Sequence, residues 1–189
     1  MARIIAGEAG SLSLKVPQGP TRPTSDRVRE AIFSSLSHRI DFDGVTVLDF
    51  YAGSGALGFE ALSRGASRLI SVDSDRSALQ ALKTNRTTIS SALSREVDIS
   101  LRQQSVSAFV DQNSPFEAID LVFIDPPYAL PNSELESLLV SLSASLGPHA
   151  LIVVERSAKD PTPQWPDGMK CVAEKTYGDT AVFTLELSR

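Results

Sequence analysis

The sequence predicts an α/β domain built on a doubly wound, largely parallel sheet, and two observations carry that expectation. Runs such as Val45-Thr46-Val47-Leu48 and Leu121-Val122-Phe123-Ile124 are apolar or β-branched throughout rather than alternating, which suits strands buried on both faces. Helical stretches separate those runs, and strand–helix alternation at this spacing is the pattern of a doubly wound sheet. The chain has 189 residues, 42% of them hydrophobic and 22% charged, enough for one domain with an ordinary core.

Each element follows in order. Residues 3–16 alternate weakly (Ile5, then Leu12, Leu14 and Val16) around Gly7 and Gly10, which predicts a short hairpin. Pro17, Gly19, Pro20 and Pro23 make a rigid connector. Thr24 or Ser25 then caps a helix whose apolar face is Val28, Ala31, Ile32 and Leu36. A strand is expected over 45–49, a Gly-rich turn after it, and a helix from about 56 to 64. A second strand at 69–73 precedes a helix at 75–91, and a weaker third covers 99–101. The fourth strand is 121–125 and the fifth 150–155, with a helix at 133–145 between them. Pro161, Pro163 and Pro166 mark a loop, and the runs around Tyr177-Gly178-Asp179 predict a C-terminal antiparallel hairpin. The expected organisation is a hairpin–helix extension over residues 1–40, followed by the α/β domain over 41–189.

Composition excludes several classes. One cysteine, Cys171, excludes a disulfide framework or a Cys-rich zinc site. Neither His38 nor His149 has a partner at ligand spacing, so no metal is expected. No apolar run approaches 18 residues, and residues 1–20 lack a signal-peptide pattern, so a soluble, cytoplasmic chain is expected. The formal charge of −5 argues at face value against a nucleic-acid partner. Its distribution does not, because residues 1–40 are net basic while residues 103–155 contain no Lys or Arg.

Three predicted strands end in Asp: Asp49, Asp73 and Asp125. Ligands of open α/β sheets bind at the carboxyl ends of strands, so these carboxylates should converge on one crevice. After Asp49 come Phe50, Tyr51, Ala52, Gly53, Ser54 and Gly55, a turn whose glycines allow close backbone approach at a helix N-terminus. Gly53, Gly55 and Gly58 also spell a dinucleotide fingerprint. Asp49, however, would face a pyrophosphate with like charge. It would suit the sulfonium and ammonium of S-adenosylmethionine (SAM), with Asp73 and its neighbour Ser74 at the ribose.

Asp125-Pro126-Pro127-Tyr128 is the more specific signal. The two prolines stiffen the backbone and leave its carbonyls as outward acceptors. Asp125 can accept from an exocyclic amino group, and Tyr128 offers a face on which a base can stack. A paired base reaches such a pocket only by flipping out or arriving single-stranded.

These segments resemble the RsmD family of bacterial 16S rRNA guanine-N2 methyltransferases, within the class I SAM-dependent methyltransferases. The matching stretches are Arg3-Ile4-Ile5-Ala6-Gly7, Thr21-Arg22-Pro23-Thr24 with Asp26-Arg27-Val28-Arg29-Glu30, Asp49 through Gly58, Glu60 through Ala66, and Asp125 through Tyr128. The resemblance implies a Rossmann-like seven-stranded sheet with an RNA-contacting N-terminal hairpin. It also implies methylation of N2 of guanine 966 (conventional rRNA numbering) in an assembling small subunit, with ribosomal proteins helping and the enzyme a monomer. Arg3, Arg22, Thr24, Arg27 and Arg29 become the expected RNA contacts. Two stretches depart from the family pattern. Glu8 to Ser13 carries no Arg where relatives are Arg-rich, which predicts weak, salt-sensitive binding to naked RNA. Ser105-Val106 stands where relatives carry Asp or Asn before Ala, so Ser105 or its neighbour Gln104 is expected at the adenine. The alternatives are the same chemistry on DNA adenine or protein glutamine, or a non-catalytic SAM- or RNA-binding module.

Overall fold

The long apolar runs become the buried centre of one sheet. The computed structural model describes residues 2–18, 25–116 and 118–188. In chain order the elements are β1 (Ala2–Arg3), β2 (Ser13–Leu14), α1 (Asp26–Leu36), β3 (Thr46–Phe50), α2 (Ala56–Arg64), β4 (Arg68–Asp73) and α3 (Arg76–Ala92). They continue with β5 (Asp98–Gln103), α4 (Val106–Asn113), β6 (Leu121–Ile124), α5 (Asn132–Ser145), β7 (Leu151–Ser157), β8 (Met169–Tyr177) and β9 (Thr180–Leu187).

Seven strands form one sheet in the order β5-β4-β3-β6-β7-β9-β8. The first five are mutually parallel, and β9 and β8 close the edge antiparallel, as the C-terminal hairpin signal predicts. The chain winds outward from β3 through β4 to β5, then returns to place β6 on the other side of β3. That reversal opens a crevice at the carboxyl ends of β3 and β6. Phe50 and Ile124 are the last paired residues of those strands, so Tyr51 and Asp125 lie one step beyond the pairing.

Strand residues alternate between two cores. Val47, Leu69, Leu121, Phe123 and Val153 pack with α1, α2 and α3, while Leu48, Phe50, Val122, Ile124 and Ile152 pack with α4 and α5. Both faces are covered, which is why the strands lack polar alternation. Among the described residues, no helix is long and apolar enough to cross a membrane.

The N-terminal extension joins the first of these cores. Ala2, Ile4, Ala9 and Leu14 of the hairpin lie in one cluster with Val47 and Leu62. Gly7 (φ 82°) brings the hairpin loop so close to the end of α2 that a Cβ there would sit 2.0 Å from the Ser63 carbonyl oxygen. The fully buried Glu60 accepts from the backbone N–H groups of Ile5 and Ala6 at 2.6 and 3.0 Å. Two of the stretches that carry the family resemblance are therefore two sides of one contact.

The structure corrects the sequence reading in three places. α4 was not anticipated. Ser25, one of the two expected caps, caps α1, but the buried face of that helix is Val28, Arg29, Ile32, Phe33 and Leu36, with the expected Ala31 only half-buried. Arg29, expected at RNA, is wholly buried and donates to the Arg3 carbonyl and to Asp26, both at 2.7 Å. A guanidinium enclosed in this way has no path to a phosphate.

Candidate active site

The Gly-rich turn is fixed by contacts from three directions. The chain leaves β3 through Tyr51, which is left-handed at φ 57°, then passes Gly53 (φ 55°) and Gly55 (φ 76°). Gly55 is the N-cap of α2, and a Cβ there would lie 2.4 Å from the Phe59 ring and 2.7 Å from Leu82, so the position admits glycine alone. Asp73, at the end of β4, accepts from Gly53 N–H at 2.8 Å through Oδ2 and from Asp75 N–H at 2.8 Å through Oδ1. The third support was not legible in the sequence. Asn85, buried in the middle of α3, donates to the Ser54 carbonyl and the Lys15 carbonyl and accepts from Lys15 N–H, each at 2.8 Å. One amide thus joins the turn, α3 and the hairpin strand.

Asp49 lies beneath this turn rather than open to the crevice. It is 2% exposed, and its Oδ2 accepts from Gly58 N–H at 3.2 Å. A Cβ at Gly58 would come within 2.9 Å of that oxygen, so glycine here makes room for the carboxylate. Burial pushes the Asp49 carboxyl well above the usual range. The Gly58 N–H opposes that shift, while the charges of Asp125 and Asp73 add to it. Asp49 therefore senses the charges of both Asp125 and Asp73.

On the other side of the crevice, Asp125 follows β6 and is half-buried, Pro126 is buried, and Pro127 is exposed. Tyr128 is 50% exposed, a large aromatic left open. The segment turns back on itself where Leu130 N–H donates to the Pro127 carbonyl at 2.9 Å. Its anchor is Arg156 of β7, which donates to the Leu130 carbonyl at 2.8 Å and to Asn132 Oδ1 at 3.0 Å. The Arg156 side chain is 4% exposed. Asn132 in turn donates to the Pro161 carbonyl at 2.9 Å. Tyr51 lies near this clamp: burial raises its phenol, Glu134 raises it further, and Arg156 opposes them.

The remaining expected residues divide. Ser105 caps α4, its Oγ accepting from Ala108 N–H at 3.2 Å and lying 3.2 Å from Ser107 Oγ. Gln104 beside it has a buried Nε2 with no hydrogen-bond partner. Ser74 is exposed, and Ala52 half-buried, at the mouth of the turn. Arg3 pairs with Asp26 at 2.9 Å, and Arg27 is exposed. Arg22 and Thr24 lie outside the described residues.

A doubly wound sheet in this strand order, with an Asp-anchored Gly turn after β3 and Asp-Pro-Pro-Tyr after β6, defines a domain of the class I methyltransferase type. Residues 2–186 match the family described as conserved hypothetical protein 95. Ribosomal RNA small subunit methyltransferase D from Escherichia coli K12 is 35% identical over 180 residues, covering 95% of this chain and 86% of that protein. Its namesake in Haemophilus influenzae is 36% identical over 177 residues, covering 93% and 89%. The solved yhhF structure from Escherichia coli superposes with a TM-score of 0.83 at 30% identity, covering 98% of this chain and 97% of that one. The chain belongs to this family, that of the ribosomal RNA small subunit methyltransferase D proteins.

Proposed function

We propose that this protein methylates ribosomal RNA of the small subunit, using SAM as donor and the exocyclic N2 of a guanine, guanine 966 of 16S rRNA, as acceptor. The observation that carries the reading is the Asp125-Pro126-Pro127-Tyr128 wall, with Tyr128 half-exposed, beside a Gly turn whose Gly53 N–H is held by Asp73.

Two features fit a cationic, adenine-bearing cofactor. Asp125 and Asp73 both disfavour the charged form of Asp49, so a ligand carrying positive charge would offset their repulsion and a pyrophosphate would add to it. The unpartnered Gln104 Nε2 is a buried donor, and leaving such a group unmet costs about 1–3 kcal/mol, which a ring nitrogen acceptor would remove. We therefore assign the adenine to Gln104 in place of Ser105, whose hydroxyl is engaged in capping α4. When bound, SAM supplies an electrophilic methyl group on a sulfonium.

The chain's own residues do the rest. The backbone from Tyr51 through Ala52, Gly53 and Ser54 to Gly55 cradles the cofactor. Asp73 and Ser74 receive its ribose, and Asp49 holds the start of α2 in place beneath the turn by accepting from Gly58 N–H. Asp125 accepts an N–H of the target amine and orients its nitrogen toward the reacting carbon, a placement that lowers the barrier through geometry. Pro126 and Pro127 keep the neighbouring carbonyls fixed as further acceptors, and Tyr128 stacks the flipped base. Arg3, Arg27 and the extension over residues 1–40 approach the RNA, with Arg22 and Thr24 on the connector. Weak affinity for bare RNA follows from the Arg-poor segment 8–13, and ribosomal proteins of an assembling subunit supply part of the grip.

The test is incubation with labelled SAM and, in parallel, immature small-subunit particles, naked 16S rRNA, DNA and ribosomal proteins, followed by mapping of the methylated atom. Label at N2 of a 16S guanine, stronger in particles than in naked RNA, is expected. Label confined to DNA or to protein would contradict the assignment.

A further inference from the structure

Folding redistributes the positive charge of this chain. Part of the basic N-terminal stretch read from the sequence is paired: Arg29 is enclosed against Asp26, and the exposed Arg3 meets the same carboxylate. Three further cations without an ion pair among the described residues share one helix, α3. This 17-residue helix carries Arg76, Lys83 and Arg86 and no Asp or Glu. Its buried side is Ala78, Ala81, Leu82, Asn85 and Ile89, which puts the three cations on the outward side, where all are exposed.

Lys15 joins them. Its backbone is bonded to Asn85 in both directions at 2.8 Å, and Ser77 Oγ donates to the Gln18 carbonyl at 3.2 Å. Residues 15–18 therefore run along α3 toward its N-terminus, with the Lys15 side chain exposed. Among the described residues, none of these four side chains forms an ion pair, whereas on adjoining elements Arg64, Arg68 and Arg95 meet Glu60, Asp98 and Glu8. The exposed hydroxyls of Thr84 and Thr87 donate back to the Gln80 and Lys83 carbonyls, and the N-cap Asp75 is engaged with Ser77 and Ala78. Lys83 and Arg86, at i and i+3, repel rather than stabilise one another. The chain carries 23 Asp and Glu against 18 Lys and Arg, yet among the described residues these four neighbouring cations stay unpaired.

We propose that the stripe formed by Lys15, Arg76, Lys83 and Arg86 is a docking surface for the sugar–phosphate backbone of the RNA substrate, separate from the base pocket. This rests on the reading of the chain as a ribosomal RNA methyltransferase and names a surface which that reading leaves open. From Arg76 to Arg86 the helix rises about 15 Å, room for a short length of single strand or one side of a groove. Contacts of this kind hold the substrate in register and carry no base information.

The test compares the full-length protein with the quadruple variant Lys15→Gln, Arg76→Gln, Lys83→Gln, Arg86→Gln, using small-subunit particles as substrate across a salt series. A Lys170→Gln, Lys175→Gln variant on β8 serves as the control for net charge. The quadruple variant is expected to raise KM for particles about tenfold or more. It should also flatten the dependence of log KM on log salt by about 3–4, since each of the four phosphate contacts contributes about 0.7–0.9. Its SAM affinity should stay unchanged, and the control should shift KM less than about twofold. Wild-type label in rRNA with an unaltered KM and salt slope in the quadruple variant overturns the stripe alone. An increase in log KM per charge removed that is equal in the quadruple variant and the double control also overturns it, because net charge would then be the cause. No label in any rRNA from the wild type overturns the functional reading as well.

Discussion

The two walls of the crevice are both loops at the carboxyl ends of neighbouring strands, yet they are held by opposite means. The Gly turn is held mostly by its own surroundings: Asp73 one strand away, Gly58 on the next helix, and glycines that let backbone and side chains approach. The Asp-Pro-Pro-Tyr wall is stiff within the tetrapeptide, but its far end hangs on Arg156, contributed by β7 across the following helix. The part of a turn held by its own glycines and the adjacent strand end can be read from a short stretch of sequence, although its Asn85 support cannot. A loop held by a distant guanidinium cannot. The contrast also separates two jobs, since the first wall is proposed to bind the cofactor and the second to present the acceptor.

The largest expected effect breaks the second wall. Asp125→Ala should lower turnover on small-subunit particles by about 10²–10³-fold, the cost of removing one well-placed polar partner of a reacting group. Steady-state rates at saturating SAM check this. Asp73→Ala breaks the first wall instead, removing the acceptor of Gly53 N–H and the proposed ribose contact. Charged hydrogen bonds contribute about 1.5–3 kcal/mol, so SAM affinity should fall by about 10–100-fold in a calorimetric titration.

Arg156→Met sharpens the comparison, because it cuts the long-range anchor and leaves the tetrapeptide intact. KM for particles should rise and kcat fall, by about tenfold in kcat/KM, while SAM affinity holds; Arg156→Lys should recover part of the loss. Equal damage to SAM affinity would show that the two walls are not separately supported.

The smallest effect concerns Asp49, whose carboxyl is raised on folding. A carboxyl raised in the folded state binds its proton more tightly there than in the unfolded chain. Stability is therefore greatest at low pH and declines as pH rises from the ordinary carboxylate value through the folded one. At neutral pH, Asp49→Asn should raise the Tm of the SAM-free protein by a few degrees, since about 1 kcal/mol corresponds to about 2–4 °C at this size. Thermal melts at pH 5 and pH 8 check the sign, with the gain larger at pH 8. SAM binding should weaken in the same variant.

How much of this was legible follows the same divide. The strands around Asp49, Asp73 and Asp125, the Gly turn and the C-terminal hairpin were all read correctly, because each is local and its signal is a run or a fixed spacing. α4 was overlooked although Ser105 caps it and Val106, Phe109 and Val110 line its buried side, since eight residues give barely two turns of periodicity. Assigning Ser105 to the adenine obscured its role as a cap. Arg27 and Arg29 were treated alike, yet Arg29 is in phase with Ile32, Phe33 and Leu36 and therefore faces inward. That phase was visible; the habit of placing arginine outside overrode it. Arg156 and Asn85 gave no local signal at all, because their partners are 24 to 70 residues away.

The claim that one wall binds the cofactor and the other presents the acceptor has one direct measurement, calorimetric titration of SAM into the Asp125→Ala protein. The account predicts an affinity within about threefold of wild type, beside a turnover reduced by orders of magnitude. A fall in SAM affinity that matches the fall in turnover would contradict it, and would make Asp125 part of the cofactor's own site.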